Sequence, residues 1–238
     1  MLRSTTRALN LLGLAAFLLT VHPARSATIT TYTDPNAWAA AASAQQTITF
    51  EGLAPANGAT TYQGATGLTT SGVEFIGYTS TGSSWIEVVD TNFNTYFNFG
   101  SNDAVLQDMD RPNSSSPLPY IQIVLPAGVT AFSMDLFTVS PSADAFQITV
   151  AGTNYTVPTD ARPTEQFWGV TSDTAISTIN LTLLGTVYNG TTYALLDNFS
   201  FGTADSDMSQ APEGGTFLLI GSGLIGIAGL RKFVRKPF

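Results

Sequence analysis

A succession of short β-prone runs, each closed by Gly, Pro, Asn or Ser, constrains this chain more than any other feature. The runs fall at 47–50, 73–78, 85–89, 96–99, 120–125, 131–139, 145–150, 165–170, 175–183 and 193–201. Ile179, Leu181 and Leu183 alternate with Asn180 and Thr182, the period of a strand with one buried face. Phe132, Met134 and Leu136 alternate less cleanly with Ser133, Asp135 and Phe137. Many short strands separated by turn residues predict an all-β, antiparallel sandwich of jelly-roll type. One short helix precedes it. Asp34 is suited to an N-cap and Pro35 to the first helical position, which predicts a helix over 36–44 around Trp38 and its alanines. Residues 54–67, rich in Gly, Ala, Thr and Pro, read as a long loop.

Chemistry is bounded by what the central stretch lacks. Cysteine is absent, and the single histidine, His22, lies near the N-terminus. Between Ala27 and Gln210 there is no lysine, and the cations are Arg111 and Arg162 against sixteen acids, a formal charge of −14. This excludes a Ser-His-Asp triad, a cysteine nucleophile, a Schiff-base lysine and histidine-ligated zinc within the body. Nucleic-acid binding needs clustered Lys and Arg against phosphates, so no nucleic-acid partner is expected. Two-carboxylate and metal–carboxylate chemistry remain open. A body of roughly 180 residues is long enough to bury one core without disulfides.

The two ends carry addresses. Arg3 and Arg7 precede an apolar stretch at 8–21, and Ala24-Arg25-Ser26 fits a small-x-small cleavage site, so 1–26 reads as a secretory signal peptide handled by the translocon. At the other end, 216–230 is uncharged and apolar, about 22 Å as a helix. Phe233 and Val234 extend it to a transmembrane helix over 216–234 if Arg231 and Lys232 snorkel. Arg231, Lys232, Arg235 and Lys236 fix that end in the cytoplasm. Residues 203–211 form a polar linker between this tail and a 27–202 ectodomain.

With Pro212-Glu213, the glycine-rich apolar run and the basic end on view, the 212–238 tail resembles the PEP-CTERM sorting signal of bacterial exported proteins. The Pro-Glu-Pro box of that family maps onto Pro212, Glu213 and Gly214, where glycine replaces the last proline. The resemblance implies recognition by exosortase, a membrane protease, passage through the inner membrane, and delivery to the surface or extracellular matrix of a bacterium that makes exopolysaccharide. The "TITFEGL", "TTSGVEFIGY" and "LLDNFSFG" stretches resemble the sandwich ectodomains found before such tails, and the galactose-binding-like jelly rolls of carbohydrate-binding modules. In those sandwiches an acid from the first strand and one from the last, with backbone carbonyls, can hold a structural calcium. By position these are Glu51 and Asp197; each acid capping a strand end or facing solvent is the alternative.

Further candidates come from the residues themselves. Asn102, Asp103, Asp108 and Asp110 form an acidic group that reads as a calcium loop or a solvated turn. Glu87 with Asp90, or Asp108 with Asp110, are the close acid pairs that a carboxylate glycosidase would require. Trp85, Tyr96, Phe97, Phe99 and Trp168 lie in or beside strands, where most aromatics are core. The 92–98 segment has the aromatic and amide composition of a sugar-binding face. The reading is a non-catalytic envelope or matrix protein, structural or adhesive, contacting polysaccharide with calcium as a possible structural ion. The alternatives are a glycoside hydrolase acting on exopolysaccharide and a surface protein without a glycan ligand.

Overall fold

The structure is a computed structural model that describes residues 27–79, 82–93, 104–108, 118–184 and 194–205. The signal peptide expected at 1–26, the sorting tail at 212–238 with its membrane helix, and the strand expected at 96–99 lie outside the described residues. Among the described residues no helix is long and apolar enough to cross a membrane.

Two antiparallel sheets make the expected sandwich. The first has the order β1 (Ile29–Tyr32), β13 (Gln166–Ser172), β10 (Ala131–Phe137), β15 (Leu195–Ala204), β8 (Ala104–Asp108), β7 (Ile86–Asp90), β3 (Ala59–Tyr62), with β2 (Ala42–Ile48) also paired to β15. The second has the order β12 (Thr153–Thr159), β11 (Asp144–Val150), β14 (Thr178–Leu183), β9 (Tyr120–Val124), β5 (Val73–Thr79), β4 (Leu68–Thr70), with β6 (Gly82–Ser84) also on β5. The inner faces meet in one core. Phe132, Met134, Leu136, Trp168 and Phe199 from the first sheet pack with Phe75, Ile121, Ile123, Phe146 and Leu181 from the second. The rings of Phe75 and Phe199 meet edge to face at 5.5 Å across the sandwich. Burying each large side chain contributes about 1.5–3 kcal/mol.

The helix forms where its cap predicts. Asp34 Oδ1 accepts from the backbone N–H groups of Asn36 (2.8 Å) and Ala37 (3.2 Å), and Pro35 opens α1 (Pro35–Ala41). It stops at Ala41, short of the expected Ala44, because Ala42 already pairs with Ala204 of β15. Sheet pairing outweighs the helix preference of alanine here. The same pairing corrects the linker boundary: Thr203 and Ala204 are strand residues, paired with Ser43 and Ala42.

Several strands depart from the sequence reading. β3 lies inside the expected 54–67 loop, β6 lies between the expected runs at 73–78 and 85–89, β12 lies between those at 145–150 and 165–170, and β8 lies within the acidic 102–110 stretch. Trp85, expected in a core strand, is 50% exposed. It is the corner residue between β6, which belongs to the second sheet, and β7, which belongs to the first. The weak alternation of β10 also has a cause. Its inner face meets the core, and its outer face is covered at both ends, by Trp38 and Ala42 over Ala131 and by Val89, Val139 and Leu195 around Phe137.

Candidate functional site: a groove between the helix and the first sheet

Between those two outer apolar clusters, a polar gap remains on the first sheet. It forms an open groove of about 480 Å³. Pro35, Trp38 and Ala39 of α1 make one wall, Glu165 and Phe167 another, and Ser133, Asp135, Asn198 and Ser200 the floor.

The helix wall is held by one tryptophan. Trp38 is 3% exposed, its Nε1–H donates to the Val170 carbonyl at 3.1 Å, and its ring meets Phe167 edge to face at 6.4 Å. It lies against Gly169 of β13, where a Cβ would come within 2.7 Å of Trp38 Cδ1 and 2.9 Å of Cγ. The glycine is what allows the helix to sit so low on the sheet.

The floor is shaped by a bulge. Ser133 pairs with Ser200 and Asp135 with Asp197, so two residues of β15, Asn198 and Phe199, span the place of the single Met134 on β10. Asn198 takes φ +48, a left-handed conformation that asparagine tolerates better than most residues. Such bulges re-aim side chains. Here the Asn198 Nδ2 donates to Asp135 Oδ2 at 2.9 Å, and the Asn198 backbone N–H donates to Asp197 Oδ1 at 2.7 Å. Ser200 Oγ is hydrogen-bonded to Thr47 Oγ1 at 2.7 Å, which ties the floor to β2. Burial pushes the Asp135 carboxyl above its usual range, and the Asn198 amide pulls partly the other way.

The sequence candidates are distributed differently. Asp197 lies in the floor strand, 2% exposed, directly opposite Asp135. Glu51 is exposed in the turn after β2, and the β2–β15 register, with Ile48 opposite Phe199, runs its segment toward Asp197. Oxygen donors suit a hard cation, yet two carboxylates fill only part of a calcium shell of six to eight. Among the described residues no group of three or more His, Asp or Glu could hold a metal ion, so backbone carbonyls would have to complete any shell there. Glu87 and Asp90 do not form a convergent pair. Three positions apart on β7, they face opposite sides of the sheet. Thr61 donates to Glu87 Oε1 at 3.3 Å, and the Asn92 backbone N–H donates to Asp90 Oδ1 at 2.8 Å. Asp108 ends strand β8, paired with Ile86, and is no loop residue; Asn102, Asp103 and Asp110 lie outside the described residues. Trp168 is buried, as expected; Phe93 is 45% exposed, and the rest of the 92–98 segment, from Asn94, lies outside the described residues.

Sequence reasoning missed the groove residues Asp135, Glu165, Phe167 and Asn198 as a group. One signal was present: two adjacent polar residues, Asp197-Asn198, interrupt the apolar Leu195, Leu196, Phe199 and Phe201 of the final strand.

No protein-family model and no curated protein matches this chain. Two solved structures resemble it, both mutants of a family 29 carbohydrate binding module. One has 10% identity and a TM-score of 0.33, the other 9% and 0.32, and each likeness covers 65% of this chain and 98% of the other. The residues of the groove are read from this chain alone.

Proposed function

We propose that this chain is an exported, non-catalytic glycan-binding protein of the bacterial envelope or matrix, sorted through its 212–238 tail. The observation that carries the binding part is the groove. A partly exposed Phe167 ring stands beside a carboxylate–amide pair, Asp135 and Asn198, and two serine hydroxyls. Sugars need this combination: an apolar surface for their C–H faces and fixed acceptors and donors for their hydroxyls. The Asp135–Asn198 contact and the Thr47–Ser200 contact hold these polar groups in place before any ligand arrives.

The test is binding of the purified full chain, in detergent, to a glycan panel that includes the exopolysaccharide of its host. Phe167→Ala should weaken binding about ten-fold or more, the scale of one lost ring contact with its area. Equal binding by that variant removes the groove from the proposal. Running the panel with calcium and with chelator tests Glu51 and Asp197 together, because a structural calcium there would make binding and melting temperature depend on the ion. Reducing ends released from any glycan, and lost in Asp135→Asn, would favour a carboxylate-dependent hydrolase working in this groove over a binding protein.

The sorting proposal rests on the order of the tail: Pro212-Glu213, a glycine-rich apolar run, then Arg231, Lys232, Arg235 and Lys236. Replacing Pro212 and Glu213 with alanine should retain the protein in the inner membrane, read by fractionation. Normal surface delivery of that variant would refute the sorting signal and leave the groove untouched.

A further inference from the structure

The second sheet ends on an open edge. Among the described residues β12 pairs with β11 alone, in a register unbroken from Asp144 opposite Thr159 to Val150 opposite Thr153. One bond tells which of its backbone groups face outward. The Ala145 carbonyl accepts from the Leu184 N–H, on the β14 side of β11. In an antiparallel strand the N–H and C=O of one residue point the same way, so Ala145 turns away from β12 and Pro158, opposite it, turns away from β11. Thr156 and Asn154 share the parity of Pro158. Their N–H and C=O groups point out of the sheet edge, and among the described residues no backbone hydrogen bond reaches them. Natural sheets blunt such edges with shortness, charge or a bulge. The other terminal strands follow that rule: β1 and β3 have four residues each, and β4 has three. β2 is as long as β12, but a bulge breaks it where Ala44 takes φ +50. β12 has seven residues, no charge and no bulge, and its proline lies near one end. Its Thr, Tyr and Val are strand-forming types.

We propose that β12 is a pairing edge for a second copy of this chain, antiparallel, with the two-fold axis at Tyr155. Asn154 of each copy then stands opposite Thr156 of the other. This register gives each outward N–H of the two strands a carbonyl partner and asks for none from Pro158. The two Tyr155 side chains become cross-strand neighbours, a pairing that favours association. Each ring is already held in place by its own Trp168, with centroids 5.7 Å apart. Charge also points to this edge. The body has sixteen acids against Arg111 and Arg162 between Ala27 and Gln210, so two copies repel each other elsewhere, whereas the paired residues of β12 carry no charge. The contact is isologous and uses up the edge on both sides, so it makes a closed dimer. Antiparallel pairing turns the two bodies end for end. Their Asp205 ends point opposite ways, and the 212–238 tails take no part in the contact.

The experiment is sedimentation velocity of the full-length chain, in detergent, over a concentration series. The dimer fraction should rise with protein concentration and with salt, which screens the repulsion between two acidic bodies. Thr156→Pro removes one outward N–H and leaves the β11 ladder whole, so it should weaken dimerisation about ten-fold or more. Cross-linking reads the register, because the chain has no cysteine of its own. Under mild oxidation an equal mixture of Asn154→Cys and Thr156→Cys chains should give a disulfide-linked dimer, since opposed residues of a hydrogen-bonded pair lie about 5.5 Å apart. Either chain alone should give far less. Both residues are exposed, so neither change disturbs the core. A parent that stays monomeric overturns the proposal. So do dimers that Thr156→Pro leaves as tight as before, which would point to the tails, and dimers whose mixed chains do not cross-link. A monomeric parent that binds a synthetic peptide of residues 151–159 would show an edge that takes a strand, with a second copy as the wrong occupant. No glycan enters these readouts, so the groove reading stands or falls separately.

Discussion

A Gly67→Ala chain should not give a folded body. Gly67 closes the 3-10 turn Gly64–Thr66, with φ +46, and a Cβ there would lie 1.9 Å from the Phe75 carbonyl oxygen and 2.9 Å from its carbon. The obstacle is backbone, so no rotamer change relieves it. Phe75 is in the middle of β5, which pairs with both β4 and β9 and sends its ring into the core against Phe50 and Phe199. A left-handed alanine alone costs about 1–2 kcal/mol. Moving a central strand loses several buried contacts more, against a total stability of about 5–15 kcal/mol. Circular dichroism and the soluble yield decide the matter. A cooperative melt within a few degrees of the parent would mean that β5 does not approach Gly67 as described.

Gly169→Ala should have a different outcome: a folded protein with a damaged groove. Its Cβ would meet a side chain, Trp38, at 2.7 Å, and Ser133 Cβ at 3.1 Å. The indole must then leave Val170, giving up a buried hydrogen bond and its packing on Ala42 and Ala131. Overpacking costs about 1–3 kcal/mol and the broken bond about 1 more. For a body of this size that lowers the melting temperature by roughly 5–15 °C. Because Trp38 and α1 form one groove wall, the glycan affinity proposed above should fall by about ten-fold or more in a chain that still melts cooperatively. Unchanged affinity in a destabilised chain would show that the helix wall has no part in binding.

Much of the sandwich was legible because its central strands carry unambiguous patterns. β9, β11 and β14 have one face buried against the other sheet, and their alternation survives in the sequence. The cap of α1 was legible because Asp34 and Pro35 act locally. The missed strands β3 and β12 are edge strands of the first and second sheets. An edge strand buries less, so its residues need not alternate cleanly, and β12 tolerates Pro158 where a central strand would not. β8 is short and lies among the acids of the 102–110 stretch, which outweighed its apolar Val105 and Leu106 in the reading. The groove was illegible for another reason. Its parts come from 35–39, 133–135, 165–167 and 198–200, and only the pairing of β10 with β13 and β15 gathers them. The bulge at Asn198 depends on how many residues oppose Met134, which no single strand states about itself.

β15 is the last strand of the described body, yet it occupies the middle of the first sheet. It pairs with β10 on one side, and on the other with β2 and β8 at different points along its length. Its partners include residues more than 150 positions earlier, such as Thr47 against Ser200. Assembly of this sheet therefore has a deadline set by synthesis. Until residues 195–204 emerge, β10 lacks one neighbour and β2 has no strand to pair with. A topology dominated by such distant pairings folds slowly, after loop closures whose entropy is lost before contacts compensate. The first sheet is incomplete until its middle strand is made.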